Sequence, residues 1–427
     1  MLQLDSSTAS EIKMKYDITI IGGGLAGLST ALYICSKVDA AVVIIDKRRI
    51  GDPTKNSPFT FPETVEKYGL KDAVLQTYTK YTYRSPMGTS ATWEYSEPAF
   101  LTLDYQEACK NLLKRAKKEG NLEVLQNIKV VHFEVNREAF GIKNLTLKLS
   151  ADEDIETDIL VDASGKSFFV VNKFGLRLPS FYSHAYGEVL DNCKIEDPNE
   201  MHILAGKKYG NGGGWFYPLN GKKARFGIAE VTESLDYPKT TVKKNFLEAC
   251  KNFWPYSEMV KNSKTVRSEF GSIPIGAIEK FCSERILIVG DAAGHATPWF
   301  CEGVRPALES GQICGKVIAR AYEQQDYSQK TLEKYQKEWD RLNRRRYTVS
   351  FQKTIHKWFR TQEEWDKGVK NMSMLTSENV RNAIKYGEVQ PTILFSKREL
   401  LTKPIIKLIN YVRSASTKRK TGKSQQK

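Results

Sequence analysis

The chain has 427 residues, 41% of them hydrophobic, and its 65 Lys and Arg against 50 Asp and Glu give a formal net charge of +15. That length holds two or three domains around a sizeable core. No apolar run reaches the roughly 20 residues that cross a bilayer, and the polar first fourteen residues do not read as a secretory leader, so a cytoplasmic protein is expected.

The first informative stretch is Ile18-Thr19-Ile20-Ile21, an apolar strand that runs into Gly22-x-Gly24-x-x-Gly27. A helix-compatible run follows from Leu25 to about Cys35, then a second apolar run from Ala40 to Ile45 that ends on Asp46. This is a βαβ unit with an acid at its second strand end, the pattern of dinucleotide binding. Gly22 permits the tight turn, Gly24 lets the backbone approach a pyrophosphate, and Gly27 lets helix and strand pack. The N–H groups of Leu25, Ala26 and Gly27 open the helix toward the phosphates. Asp46 can accept from the adenosine ribose, and Lys47 adds positive charge beside it.

Leu70 to about Tyr78 reads as a helix. Tyr81 to Tyr95, rich in Thr, Tyr and Trp around Ser85-Pro86-Met87-Gly88, reads as a hairpin whose aromatics suit either a pocket wall or a core. Asp104 caps a helix to about Lys118, Gly120 stops it, and Leu122 to Val135 continues as a strand. Strands at 140–149 and 154–160 lead to Asp162-Ala163-Ser164-Gly165, small residues that let a backbone come close to a nucleotide. Residues 180–231 are β-like and contain Gly212-Gly213-Gly214-Trp215-Phe216-Tyr217-Pro218. The glycines there suit a close approach to a ligand, or a plain turn into a core strand. A helix from Val242 to Phe253 and a strand from Glu269 to Ile275 follow.

The second informative stretch is the strand Arg285 to Val289, then Gly290-Asp291-Ala292-Ala293-Gly294-His295, then Pro298 through Cys301-Glu302-Gly303, with a helix from Val304 to about Tyr322. Asp291 suits a ribityl hydroxyl. The N–H groups of Gly303 and Val304 suit a flavin's pyrimidine oxygen, where reduction puts negative charge. Residues 328–411 are helical and basic, and no acid follows Glu399. Such a tail suits an anionic membrane or nucleic acid, or is simply a solvated, disordered end. The seven cysteines are scattered without C-x-x-C and the five histidines are dispersed, which argues against a disulfide framework or a metal site.

Together, Gly22-x-Gly24-x-x-Gly27, Asp162-Ala163-x-Gly165 and Gly290-Asp291-Ala292-Ala293-Gly294…Pro298-x-x-x-Glu302-Gly303 resemble the three flavin motifs of the p-hydroxybenzoate-hydroxylase-like flavoproteins. Within them the chain is most similar to the archaeal geranylgeranyl reductase family. Gly213-Gly214-Trp215-Phe216-Tyr217-Pro218, eight residues and Gly227-Ile228-Ala229 resemble that family's Y-x-W-x-F-P…G-x-G pattern, with Gly213, Tyr217 and Ala229 as departures. Leu332-x-x-Tyr335-x-x-x-Trp339 also resembles it. The loop from Gly51 to Pro62 lacks the family's cysteine, and Phe100 stands where the family has an arginine.

The resemblance implies an α/β fold: a Rossmann-like FAD-binding domain of glutathione-reductase type with an inserted mixed β-sheet domain and a helical C-terminal region. Its implied boundaries are 14–80 with 100–165 and 265–330 for FAD, 81–99 with 166–264 for substrate, 331–412 for the helices and 413–427 for the tail. It implies FAD as cofactor, an isoprenoid lipid as substrate, Trp215, Tyr217 and Pro218 at the substrate, and reduction of C=C bonds in membrane lipid precursors. Tyr217 or water would protonate the alkene. Cys301 either replaces the missing loop thiol or is a buried structural cysteine. NAD(P)H or a ferredoxin would supply electrons, and the basic terminus would hold the enzyme at the membrane. The alternative activity is a flavin monooxygenase or halogenase acting on an aromatic or apolar molecule; a nucleic-acid partner is not expected.

Overall fold

Strands form where the apolar and β-branched runs lie, and three sheets result. The structure, a computed structural model, describes residues 14–51, 58–139, 141–151, 153–298, 300–358 and 361–386. The basic tail, Trp299 and most of the loop after Gly51 lie outside these residues.

The first sheet has eight strands. At its centre Met14–Ile21 runs parallel to Val42–Asp46 on one side and to Asp154–Asp162 on the other. Leu122–Gln126 and Ile286–Ile288 extend the parallel array outward. Near-continuous burial of Ile18, Ile20, Val43, Ile44, Ile159 and Val161 is what a parallel strand covered on both faces requires. Gly141–Leu149 and Val130–Glu138 attach as an antiparallel pair.

The helices Leu25–Cys35 and Val304–Gln324 cross on this sheet. A Cβ on Gly311 would stand 2.3 Å from Ala26 O, so the crossing depends on that glycine. Ser29 Oγ donates to Leu308 O across the same contact (2.8 Å).

The second sheet has seven strands in the order Lys264–Ile275, Phe181–Asp191, Ala224–Thr232, Gly213–Pro218, Glu200–Leu204, Lys80–Arg84 and Ser90–Glu94. Its outer face carries the helix Lys239–Asn252, with Phe246 between Tyr186 and Phe226. Its inner face meets an aromatic cluster of Phe59, Phe61, Tyr78, Tyr81, Trp93, Phe100 and Tyr217. The helices Gln362–Met372 and Ser377–Tyr386 close over that cluster with Trp365, Val369, Val380 and Ile384.

The third sheet has three strands, Phe59–Thr60, Phe100–Leu103 and Val74–Tyr78. Here the structure corrects the helix expected over Leu70 to Tyr78. Only Lys71–Ala73 turns, as one 3-10 turn, and Val74–Tyr78 pairs with Phe100–Leu103. Tertiary pairing overrides the local pattern there. The strand expected from Leu122 to Val135 is two strands, broken at Asn127, whose φ is +60°. Asp104 caps Tyr105–Glu119 as expected, accepting from Glu107 N (3.0 Å).

Candidate functional site

The glycine loop sits where the central strand leaves the sheet. Gly22 has φ +107°, and a Cβ there would lie 2.3 Å from Ala163 O. A Cβ on Gly27 would lie 2.1 Å from Gly22 O. Both positions are therefore required by the fold itself. Gly24 differs: it is the N-cap of Leu25–Cys35 at φ −81°, a conformation open to any residue, and no side chain caps the helix. Leu25 N points at Tyr105 Oη at 3.4 Å. The helix start is an anion cradle by its dipole and its free amides.

Asp46 holds this loop: its carboxylate accepts from Gly23 N (2.8 Å) and from Arg48 N (2.9 Å). Each oxygen keeps a second lone pair for a ribose hydroxyl. Lys47 Nζ donates to Ser167 Oγ (3.0 Å), tying the loop to the turn that begins at Gly165. Asp162 is fully buried, and its oxygens accept from Ser164 N (2.9 Å) and Val170 N (2.7 Å). Burial pushes its carboxyl up, and its hydrogen bonds brace the turn around Gly165.

The second motif follows Ile286–Ile288. Asp291 lies half-buried in the turn Gly290–Ala293, and Ala292 packs into the core behind it. Pro298 is buried. Glu302 is buried beneath the start of Val304–Gln324. It accepts from Arg305 N (2.8 Å) and Thr60 Oγ1 (3.3 Å), and Arg305 Nε stands 3.7 Å away. Its Oε2 makes no hydrogen bond, and burial pushes the carboxyl up to about 7 despite the guanidinium. At Gly303 the long helix starts without a side-chain cap, leaving its first amides for a ligand.

Thr60 and Phe59 connect this end to the aromatic wall. The Phe59 ring meets Tyr217 edge-on at 6.3 Å, and Tyr78 lies 6.4 Å from Tyr217 on the other side. Burial pushes the Tyr217 phenol well above its ordinary range. Trp215, two residues earlier on the same face, lies flat across the sheet. A Cβ on Gly227 would stand 2.2 Å from its Cζ2, and one on Gly187 would stand 3.1 Å away. The glycine nine residues after Pro218 is thus explained by the indole it accommodates. Pro218 contributes its carbonyl, which accepts from Tyr78 Oη (2.7 Å).

Cys301, at φ +53°, packs against Val231 and Ile275, while its neighbour Phe300 turns to the Tyr217 cluster. The buried ion pair of Arg225 and Glu269 was not anticipated. Arg225 sits directly opposite Tyr217 in register, and Arg267 Nε holds the other Glu269 oxygen (2.9 Å). An arginine in an alternating strand carries no sequence signal of burial; only the register places it. His295 was also unread: both ring nitrogens lack hydrogen-bond partners, Trp339 stacks on it at 4.0 Å, and burial lowers it to about 3. It borders, through Trp339 and Phe281, a cavity of about 360 Å³.

The Gly22 loop meets Tyr105, Asp291 stands beside Gly303 at the start of the long helix, and Glu302 reaches Thr60, whose neighbour Phe59 meets Tyr217. A long, two-ended cofactor fits this arrangement, with an anion cradle at one end and helix amides beside an aromatic wall at the other.

Comparison with known proteins agrees. Residues 15–350 match the family model described as FAD binding domain. The chain is 25% identical over 339 residues to the digeranylgeranylglycerophospholipid reductase of Methanococcus vannielii, covering 77% of this chain and 83% of that one. Its fold is shared with a geranylgeranyl bacteriochlorophyll reductase-like protein of Thermoplasma acidophilum: TM-score 0.76, 19% identity, 88% of this chain and 98% of that one. It is shared also with the flavin-dependent brominase Bmp2: TM-score 0.68, 16% identity, 95% and 100% covered.

Proposed function

Because the chain belongs to the FAD binding domain family, we propose that it reduces C=C bonds in the geranylgeranyl or related isoprenoid chains of membrane lipid precursors. The observation that carries this reading is the wall formed by Phe59, Tyr78, Trp215 and Tyr217 beside the Glu302–Val304 helix start. It is apolar, aromatic and closed by two helices, as a polyprenyl chain requires. The Methanococcus relative's name supports the substrate class.

In this reading Gly22, Gly24, Leu25, Ala26 and Gly27 cradle the pyrophosphate, and Asp46 and Lys47 meet the adenosine. Asp291 and Ala292 line the ribityl chain, and Gly303 and Val304 offer N–H groups to the pyrimidine edge. Asp162, Gly165 and Pro298 shape the walls. Bound and reduced, FAD supplies the hydride; the chemistry is the cofactor's and the geometry the protein's. Trp215 and the aromatic rings hold the alkene and exclude water. Tyr217 would be the proton source for the other alkene carbon: burial holds its phenol protonated, and Arg225 stands opposite it in register. Cys301 acts through packing. Electrons come from NAD(P)H or a ferredoxin, and the basic C-terminus attracts the anionic membrane that holds the substrate.

The test is anaerobic: reduced protein is mixed with a geranylgeranylated lipid, and the product is read by mass spectrometry. The expected product gains one dihydrogen equivalent per bond as the flavin reoxidises. The same aromatic wall also suits an aromatic substrate, and the brominase shares the fold. Oxygen uptake that depends on an added aromatic would select that second reading.

A further inference from the structure

The outer face of the helix Lys239–Asn252 lies apart from the glycine loops and the Tyr217 cluster. Its inner residues Val242, Phe246 and Ala249 are buried against the seven-stranded sheet. Helical spacing places Lys243, Lys244, Leu247 and Lys251 together on the opposite side, all exposed, and Trp254 continues that stripe just beyond the helix end. Leu247 is 44% exposed and Trp254 62% exposed. Arg84 lies over the Trp254 ring at 5.6 Å. Arg84 ends one strand of the hairpin whose tip carries Met87, 65% exposed. Lys208 extends the basic rim, since its ammonium lies over Tyr209, which stacks on Phe253 at 5.0 Å. Glu248 is the one acid on the helix.

We propose that this surface, the outer stripe of Lys239–Asn252 with Trp254 and the hairpin tip at Met87, docks on an anionic lipid bilayer. The lipid-reductase reading supplies the choice of a bilayer; the surface supplies the chemistry. Large apolar side chains at the edge of a helix, a tryptophan among them, enter the headgroup boundary, and the surrounding cations meet the phosphates. Lysine stems also cover apolar surface while their ammonium groups reach the phosphates. The hairpin gives the docking a purpose. Its tip points outward at Met87, and its strands carry Tyr81, Tyr83 and Trp93 into the aromatic cluster that holds Tyr217. These rings continue the apolar material from the exposed tip inward to the proposed reaction site.

The experiment uses the full FAD-loaded chain and sedimentation with two kinds of vesicle, phosphatidylcholine alone and phosphatidylcholine mixed with phosphatidylglycerol. The variants are Lys243→Glu with Lys244→Glu, Met87→Ser with Trp254→Ala, and a chain ending at residue 412. All four substituted side chains are solvent-facing, and bound-flavin absorbance reports that each variant is folded.

The parent should bind the anionic vesicles alone, and salt should weaken binding. The chain ending at 412 should still bind. Each double variant should bind at least roughly tenfold more weakly, with turnover of detergent-dispersed substrate unchanged. Double variants that bind like the parent would overturn the proposal. So would loss of all binding in the chain ending at 412, which would assign docking to the tail. Failure of every form to bind would also overturn it and leave the surface to a protein partner. Turnover is read separately, so a failed substrate reading leaves the vesicle result intact.

Discussion

Gly22, Gly24 and Gly27 occur in one motif but do different work. A side chain at Gly22 or Gly27 collides with backbone, whereas Gly24 has a conformation any residue adopts. Gly24→Val is therefore expected to leave the far-ultraviolet spectrum intact and to abolish FAD uptake, whereas Gly27→Ala should lower stability with or without FAD. Thermal unfolding of each apoprotein, with a flavin titration, separates the two effects.

Glu302 makes a second residue-scale prediction. Its carboxyl has an ordinary value of 4.5 and stands at about 7 in the fold, raised by burial. The unfolded chain releases this proton first, so stability is fully present below 4.5 and is lost as pH rises through 7. Glu302→Gln removes that loss. Relative to the variant, the parent should lose roughly 3 kcal/mol between pH 4.5 and 7.5, measured by denaturant unfolding of the apoproteins. A pH-independent difference would show that Arg305 keeps Glu302 ionised throughout. Tyr217→Phe removes the proposed proton source alone; turnover should fall by about a hundredfold or more with flavin binding unchanged, which rapid-reaction kinetics would show.

At the scale of elements, the parts legible in the sequence are those whose signals are local. Asp104 and Gly120 bracket their helix, the Thr- and Tyr-rich run makes its hairpin, and the glycine loops stand at strand ends. What stayed hidden depends on register and distant pairing. Val74–Tyr78 becomes a strand because Phe100–Leu103 lies beside it. Phe59–Thr60, two residues long, links Glu302 to Tyr217 and has no pattern to read. Arg225 is buried because Glu269 stands two strands away. The crossing of Leu25–Cys35 with Val304–Gln324 is likewise a matter of contact, through Gly311 and Ala26 O. Gly311→Val should cost about 2 kcal/mol or more and loosen FAD as well, since two of the three motifs run into these two helices. Chemical denaturation followed by tryptophan and flavin fluorescence would register both losses.

At the scale of the molecule, the first sheet carries the glycine loops and the second carries the aromatic wall. The short third sheet and the last two helices join them around Phe59, Tyr78 and Phe100. No helix among the described residues is long and apolar enough to cross a membrane. In the proposed reading a lipid substrate is drawn from an anionic bilayer surface, which the net charge of +15 suits. The brominase shares this architecture, so the fold alone does not choose the reaction. The most direct measurement is the flavin spectrum of the dithionite-reduced protein, mixed without oxygen with a geranylgeranylated lipid. The oxidised flavin spectrum should return in step with a saturated product. A flavin that stays reduced until oxygen is admitted, then hydroxylates or halogenates an added aromatic, would contradict the proposed reading.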